Sequence, residues 1–227
     1  MTQSLVDDLD ERPGLRVRKK AMRRDEIIAA ASDLFARKGI DATTMAEIAE
    51  AAGISPPTVF NYFGSKDGVL IAMIVEGTVR ARETDGLLPR PASSDLATLV
   101  QDLFSRVSGR TLDIAGKRVW RYAEAAVIRH PQTELARIYR GVSQDLLLSV
   151  CGFFDEFDLV TRSGAPCPSA EIGRLFYDVW MPYFIELITQ DDMTLHGHDR
   201  LLAARLRPLI ALLFDDACAA KPNRRAR

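Results

Sequence analysis

The segment of residues 43–66, which reads TTMAEIAEAAGISPPTVFNYFGSK, constrains the fold most because it places two helix starts around one glycine stop. The motif T-x-x-E that begins at Thr44 is a capping box, so it predicts a helix start directly after Thr44. Gly53 favours the left-handed conformation that ends a helix, and Ser55 followed by Pro56 predicts a second helix start. We therefore expect two short helices joined by a tight turn.

The same succession of a glycine stop and a serine cap recurs at Gly64 and Ser65. A longer helix is predicted to follow, from residue 66 to about residue 84. Upstream, apolar residues within 27–35 recur at helical spacing and predict another amphipathic helix. We expect its apolar face to cover the two short helices. Each helix start also points N–H groups outward, so each is expected to hold a DNA phosphate.

Two short helices joined by a tight turn are the geometry of a helix-turn-helix, whose second helix enters the major groove of DNA. Residues 24 to about 79 resemble the DNA-binding domain of the TetR family of bacterial transcriptional regulators. The family pattern is a first helix that ends in Phe and Gly, then T-x-x-x-I-A-x-x-A-G-[VI]-S, then T-[LV]-[YF]-x-[YH]-F-x-[SN]-K-x-x-L. The chain matches it at Phe35, Gly39, residues 44–55, Thr58, Val59, Phe60, Asn61, Tyr62, Phe63, Ser65, Lys66 and Leu70.

The resemblance implies an all-α fold, in which an N-terminal three-helix helix-turn-helix domain is joined by a linking helix to a larger helical domain for ligand binding and dimerisation. We expect a basic arm at residues 1–20 that is disordered in part, a DNA-binding domain at 21–81, and an effector-binding and dimerisation domain at 82–227. The implied partners are a double-stranded DNA operator, a small-molecule effector and a second copy of the chain.

Residues on the exposed part of the recognition helix are expected to read the bases. The ring of Pro57 can meet a thymine methyl, and Asn61 can pair with adenine through N6 and N7. Phe60 replaces the tyrosine that is commoner in the family and lacks its hydroxyl, while Val59 and Phe63 are expected in the core. Residues expected to hold phosphates and set the register are Thr44, Ser55, Thr58, Tyr62 and Lys66.

The charge of the chain is patterned, although its formal net charge is only −1. Every ionisable residue from Arg12 to Arg24 is basic, and this basic run directly precedes the predicted first helix. One interpretation is that it lies along phosphates or in the minor groove, where cations add salt-sensitive affinity. The alternative is a solvated leader that contacts nothing in particular.

The rest of the chain is predicted to be helical, with helices at 96–107, about 117–129, 133–157, 169–189 and 199–219, and no strand pattern competes. The helix at 169–189 is apolar on all sides, so we expect it to be buried in a core or between chains. By the resemblance, it pairs with the helix at 199–219 to form a four-helix dimer interface. An ordinary monomer core is the alternative.

Aromatic residues gather in the second domain, where a mostly apolar cavity with a few polar anchors would suit a small effector. Plain core packing is the alternative for each of them. We expect the effector to be small and largely apolar, with an anionic or hydrogen-bonding group that Arg121 or Arg140 meets. The residues proposed for this pocket are Trp120, Arg121, Glu124, Tyr139, Arg140, Trp180 and Tyr183.

Other classes of function find little support in the sequence. It contains no catalytic motif, and the three histidines at 130, 196 and 198 stand beside Pro or Gly, where solvated loop positions are expected. The three cysteines are not at metal-ligand spacing, and no run of about 18 apolar residues predicts a membrane span. We therefore expect a cytoplasmic protein that is not an enzyme and has no metal, no cofactor and no membrane partner.

The sequence thus favours a homodimeric repressor that binds a palindromic operator and is released by its effector. Two alternatives stay open at this point. One is a ligand-independent activator or architectural DNA-binding protein, and the other is a helical protein-interaction module.

Overall fold

The computed structural model describes residues 14–85 and 94–225. These residues form two compact units whose boundary lies between Ala72 and Met73, inside one long helix. From the sequence, the domain boundary is expected between residues 81 and 82, near the end of that helix. It lies earlier because the second half of the helix packs within the second unit. A Cβ atom added to Gly77 would lie only 2.5 Å from Cγ2 of Ile114.

The first unit consists of three helices and the start of a fourth. They are α1 (Leu15–Lys38), α2 (Met45–Ala51), α3 (Pro56–Phe63) and the first residues of α4 (Lys66–Asp85). Of the predicted basic arm, residues 15–20 belong to α1, and residues 1–13 lie outside the described part of the chain. The helix that carries the apolar face therefore starts in the basic run, earlier than its periodicity indicated.

Apart from the start of α1, the helix starts and stops predicted for the first unit are confirmed. Thr44 and Glu47 form the complete capping box, with the Glu47 N–H 3.2 Å from the Thr44 hydroxyl and the Thr44 N–H 2.8 Å from the Glu47 carboxylate. Gly53 ends the first of the two short helices with φ of 65°, as a left-handed stop requires. The core of the first unit contains the fully buried residues Ile27, Phe35, Ile48, Val59 and Leu70.

The second unit contains the helices α5 (Leu96–Ile114), α6 (Lys117–Arg129), α7 (Glu134–Asp155), α8 (Ser169–Thr189), α9 (Leu195–Leu213) and α10 (Asp216–Ala220). Helix α7 packs on α8, α5 packs on α9, and α6 packs on both α7 and α8. Aromatic rings fill its centre, with ring centroids 5.7 Å apart for Phe104 and Trp180 and 5.2 Å apart for Phe154 and Phe176. The predicted all-α class is confirmed.

The last predicted helix, at 199–219, is wrong at both ends. It starts at Leu195 because the hydroxyl of Thr194 accepts the N–H of Gly197 at 3.0 Å and caps the first turn. It stops at Leu213 because Phe214 is extended and bridges to Thr161, and α10 follows as a separate turn. The two histidines at 196 and 198 consequently lie on a helix and not in a loop.

A small sheet was not predicted. Strand β1 (Phe157–Asp158) pairs antiparallel with β2 (Asn223–Arg224), so α7 ends at Asp155 and not at residue 157. Two-residue strands are too short to show a period, and their pairing joins residues far apart in sequence. Within the described residues no helix combines the length and apolar character needed to cross a membrane.

Candidate nucleic-acid interface and internal cavity

Helix α3 presents a surface of mixed character. Pro57, Phe60 and Asn61 are exposed, and half of the Phe60 side chain is accessible although it is a large apolar ring. Val59, on the opposite side, is fully buried, while Phe63 is half-buried with the guanidinium of Arg24 4.8 Å from its ring centre. The residues expected to read bases therefore point away from the core of the first unit.

The start of α3 differs from the expected phosphate site. Its first two residues are Pro56 and Pro57, which have no N–H group, and the N–H of Thr58 already donates to the Ser55 carbonyl at 2.9 Å. The expectation that N–H groups at this helix start hold a phosphate is therefore wrong for α3. The hydroxyls of Ser55 and Thr58, 2.8 Å apart, are the polar groups at this point.

Two predicted phosphate contacts have structural roles within the first unit. Thr44 caps α2, as described above, and remains exposed. The ammonium of Lys66 donates to the carbonyls of Ile40 at 2.8 Å and Asp41 at 3.2 Å, which tie the turn after α1 to the start of α4. An ammonium has three N–H donors, so one N–H of Lys66 can still donate to a phosphate.

The start of α4 also sets the position of the recognition helix. A Cβ atom added to Gly68 would lie 1.9 Å from the carbonyl oxygen of Phe63, the last residue of α3. Only glycine permits this approach, so the end of α3 and the first turn of α4 are closely packed.

The basic run forms one wall of a cleft beside the recognition helix. The run is helical here, and the opposite wall comes from Thr58 and Tyr62 of α3. Arg23 pairs with Glu26 at 3.0 Å, and Glu26 is the single acidic residue among the described residues that line the cleft, against four basic ones. This places positive charge next to the predicted reading surface. The full lining is Arg16, Lys19, Lys20, Met22, Arg23, Glu26, Thr58 and Tyr62.

A cavity of about 200 Å³ lies inside the second unit. Its walls come from the second half of α4 and from α5, α6, α7 and α8. Three of the predicted pocket residues, Trp120, Tyr139 and Trp180, line it, whereas Arg121, Glu124, Arg140 and Tyr183 do not. The remaining lining residues are Thr78, Ala81, Arg82, Leu103, Val107, Arg110, Thr111, Ile114, Val142, Ser143, Leu146, Ser149, Val150, Phe153, Tyr177, Met181 and Phe184.

The predicted polar anchors point elsewhere. Arg121 donates to the carbonyl of Ile188 at 2.9 Å and pairs with Asp191 at 2.6 Å, and Arg140 donates to the carbonyl of Pro131 at 2.8 Å. Glu124 lies behind Tyr139 and accepts its hydroxyl, and burial raises the pKa of this carboxyl. The cations of the cavity wall are instead Arg82 and Arg110, which the sequence did not single out.

A buried hydrogen-bond relay holds one wall of the cavity. The indole N–H of Trp180 donates to the hydroxyl of Ser108 at 2.9 Å, and that hydroxyl lies 2.9 Å from Nε2 of His198. His198 also bonds to the backbone of Tyr183, and burial lowers the pKa of its imidazole. The predicted solvated loop position of His198 is therefore wrong, because the side chain is 1% exposed.

The fold and these two features define a helix-turn-helix protein whose second, helical unit encloses a cavity. Residues 27–73 match the family model described as bacterial regulatory proteins, tetR family. The chain is 33% identical over 169 residues to the transcriptional regulator BetI of Stenotrophomonas maltophilia, a match that covers 70% of this chain and 80% of BetI. The chain belongs to the TetR family of bacterial transcriptional regulators.

Other relatives agree with this membership. The transcriptional regulator TcmR of Streptomyces glaucescens is 38% identical over 104 residues, which cover 44% of each chain. A TetR-family regulator of Mesorhizobium loti superposes with a TM-score of 0.64, over 87% of this chain and 99% of that one. At 23% identity this second likeness concerns the fold alone.

Proposed function

We propose that this regulator is a homodimeric repressor that binds a palindromic DNA operator and leaves it when a small molecule enters the cavity of the second unit. The observation that carries the proposal is the continuity of α4. This helix starts at Lys66 in the DNA-binding unit, and its residues Thr78, Ala81 and Arg82 line the cavity. An occupant of the cavity therefore contacts the same helix that begins beside the recognition helix.

Sequence is read, on this proposal, by the exposed side chains of α3. Asn61 pairs with adenine, and Pro57 meets a thymine methyl in the major groove. The hydroxyls of Thr58 and Tyr62 and the cations across the cleft, which include Lys19 and Lys20, hold phosphates on the flank of the same helix. Base contacts then supply specificity, while the basic part of α1 supplies salt-sensitive affinity.

The dimer is formed through α8 and α9, which pack against each other and leave apolar side chains exposed. On α9 these recur at helical spacing, and they include Leu201, 43% exposed, and Leu212, 74% exposed. A second copy of the chain, related by a two-fold axis, can bury this stripe against its own. The exposed apolar residues of the pair are Ala170, Leu175 and Pro182 on α8 and Leu201, Ala204, Pro208, Ala211 and Leu212 on α9.

A two-fold dimer must place its recognition helices in successive major grooves, about 34–36 Å apart. Displacement of α4 by an occupant changes that spacing, and a duplex follows such a change only by deforming. The effector therefore weakens DNA binding, and DNA weakens effector binding by the same factor, typically about 1–3 kcal/mol.

Selection of bound duplexes from a random pool tests the DNA part of the proposal. Purified full-length protein is expected to enrich a palindrome whose half-sites lie one helical turn apart. An enriched single asymmetric half-site would contradict the dimer geometry, and no enrichment at all would favour a protein-interaction module.

The release step is tested by titrating small, largely apolar compounds into the protein bound to its selected duplex. We expect a compound that binds the second unit to lower the affinity for DNA. A compound that binds tightly and leaves DNA affinity unchanged would refute the release mechanism and favour a ligand-independent DNA-binding protein.

A further inference from the structure

The hydrogen-bond donors of the cavity wall are largely engaged within the protein. The indole N–H of Trp120 donates to the carbonyl of Thr111 at 2.6 Å, and that of Trp180 donates to Ser108. The hydroxyls of Thr78, Thr111 and Ser149 donate to carbonyls one turn earlier on their own helices, at 2.7, 2.7 and 2.9 Å. Because a hydroxyl has a single hydrogen, the three hydroxyls can offer an occupant only lone pairs. The two indoles have no second N–H group to offer.

Two guanidinium groups bring positive charge to the cavity wall. Arg82 lies 3.0 Å from Asp145, and Arg110 donates one N–H of its Nη1 to the carbonyl of Ala81 at 2.8 Å. Since Ala81 and Arg82 are neighbours on α4, both guanidinium groups lie at the same end of the cavity. Each carries five N–H groups in a planar fork, a geometry that suits a carboxylate. Among the described residues that line the cavity, none is acidic.

Part of the wall is a cluster of aromatic rings that pack on one another. Ring centroids lie 6.0 Å apart for Trp120 and Tyr139, 5.7 Å for Tyr177 and Trp180, and 5.0 Å for Trp180 and Phe184. Aromatic rings prefer stacked or edge-to-face partners at these separations. An aromatic occupant can add stacked or edge-to-face contacts to this cluster, which a branched aliphatic occupant cannot.

The volume limits the size of the occupant. An engineered apolar cavity of about 150 Å³ in another protein binds benzene. The cavity here has about 200 Å³. It is therefore large enough for a compound of one or two rings with a short polar substituent, and too small for a long chain held entirely inside.

We propose that the cavity binds an aryl carboxylate of one or two rings, with its ring against Trp120, Tyr139 and Trp180 and its carboxylate on Arg110 and Arg82. This inference rests on the proposed function, because it gives the effector of the same cavity a chemical class. A carboxylate at Arg82 competes with Asp145, which links α4 to α7. The bound anion thus acts directly on the helix that continues into the DNA-binding unit.

The test compares three probes of the same shape, phenylacetate, phenylacetamide and phenethylamine, on the full-length protein without DNA. The chain has two tryptophans, Trp120 and Trp180, and both line the cavity, so intrinsic fluorescence reports occupancy. We expect phenylacetate to bind at least about tenfold more tightly than phenylacetamide, with phenethylamine weakest. Equal affinities, a preference for the amine, or no fluorescence change with any probe would overturn the proposal.

Variants locate the anion site. Arg110→Met is expected to remove the preference for the acid over the amide while leaving amide affinity within about twofold. Arg82→Met, at a half-exposed position that tolerates substitution, is expected to reduce the preference several-fold. Arg137→Met on α7 is the matched control, since this exposed residue pairs with Glu134 at 3.7 Å and does not line the cavity.

A preference that survives in both Arg110→Met and Arg82→Met, or that is lost in Arg137→Met, would overturn the assignment. Because these measurements contain no DNA, they fail or succeed independently of operator binding. A protein that binds phenylacetate but no duplex would leave this inference intact and refute the proposed function.

Discussion

The imidazole Nε2 of His198 on α9 lies 2.9 Å from the hydroxyl of Ser108 on α5. The hydroxyl of Ser108 accepts the indole N–H of Trp180, and its own hydrogen can donate to Nε2 while His198 is neutral. The relay then joins α5, α8 and α9. Protonation of Nε2 removes this acceptor and places a charge at a buried position of the second unit.

This relay predicts a pH dependence of stability. Burial lowers the pKa of His198 below its ordinary 6.5, and the nearby charges of Asp199 and Glu186 oppose this shift only in part. The folded state thus binds fewer protons at this site than the unfolded state. Its stabilising contribution is complete above about pH 6.5 and is lost as the pH falls through the folded-state pKa.

Thermal unfolding followed by circular dichroism checks this dependence. Between about pH 7.5 and about pH 5, the wild-type Tm is expected to fall more than that of His198→Gln, because glutamine has no proton to gain in this range. His130→Gln, at an exposed position, should follow the wild type. Parallel pH profiles for wild type and His198→Gln would contradict the proposed cost of protonation.

Asn61→Ala is expected to lose about 1–3 kcal/mol of discrimination at one base pair of the operator, because the side chain supplies a bidentate contact to adenine. Lys66→Ala should instead weaken binding to all sequences alike. Its ammonium bonds to the protein carbonyls of Ile40 and Asp41 and has one further N–H for a phosphate, so it contacts no base. Competition binding against single-base operator variants measures both effects. Specificity ratios that are equal for wild type and Asn61→Ala would remove this residue from base reading.

The basic part of α1 is expected to act through phosphates. In the double variant Lys19→Ala/Lys20→Ala, the slope of log K against log salt should decrease in magnitude by about 0.9 for each lost phosphate contact. The preferred sequence should not change. Arg37→Ala is the control, since Arg37 lies in the last turn of α1 and pairs with Asp33 at 2.8 Å. An unchanged salt slope would mean that this part of α1 does not reach the phosphates.

Leu212→Glu is expected to weaken the dimer, because the charge would be buried against the partner's apolar stripe. Sedimentation at micromolar concentration should show a shift toward monomer and a parallel loss of affinity for the palindrome. Ile128→Glu is a matched control, since Ile128 on α6 is also highly exposed, at 79%, yet lies outside α8 and α9. If both variants sediment like the wild type, the dimer does not use this face.

Local signals in the sequence predicted the first unit well. The capping box at Thr44, the left-handed Gly53 and the cap at Ser55 act over three to five residues, so they can be read without tertiary information. Even there, the basic run gave no helical period, and the helical state of residues 15–20 was visible only in the structure. The expectation that backbone N–H groups at the start of α3 hold a phosphate failed, because Pro56 and Pro57 lack N–H groups and the N–H of Thr58 donates to the Ser55 carbonyl.

In the second unit, the sequence determined that helices form, that they are rich in aromatic residues and that two of them carry apolar surface on several sides. The tertiary structure decided which arginines face the cavity and which pair elsewhere. Arg121 and Arg110 lie on different helices, and only the packing of α5 and α6 against α4 and α8 sets which side chain points inward. From the sequence alone, His198 is likewise predicted to lie in a loop, because its partner Ser108 is distant in sequence. Helical periodicity specifies a face of a helix, whereas the identity of what covers that face depends on contacts between residues far apart in sequence.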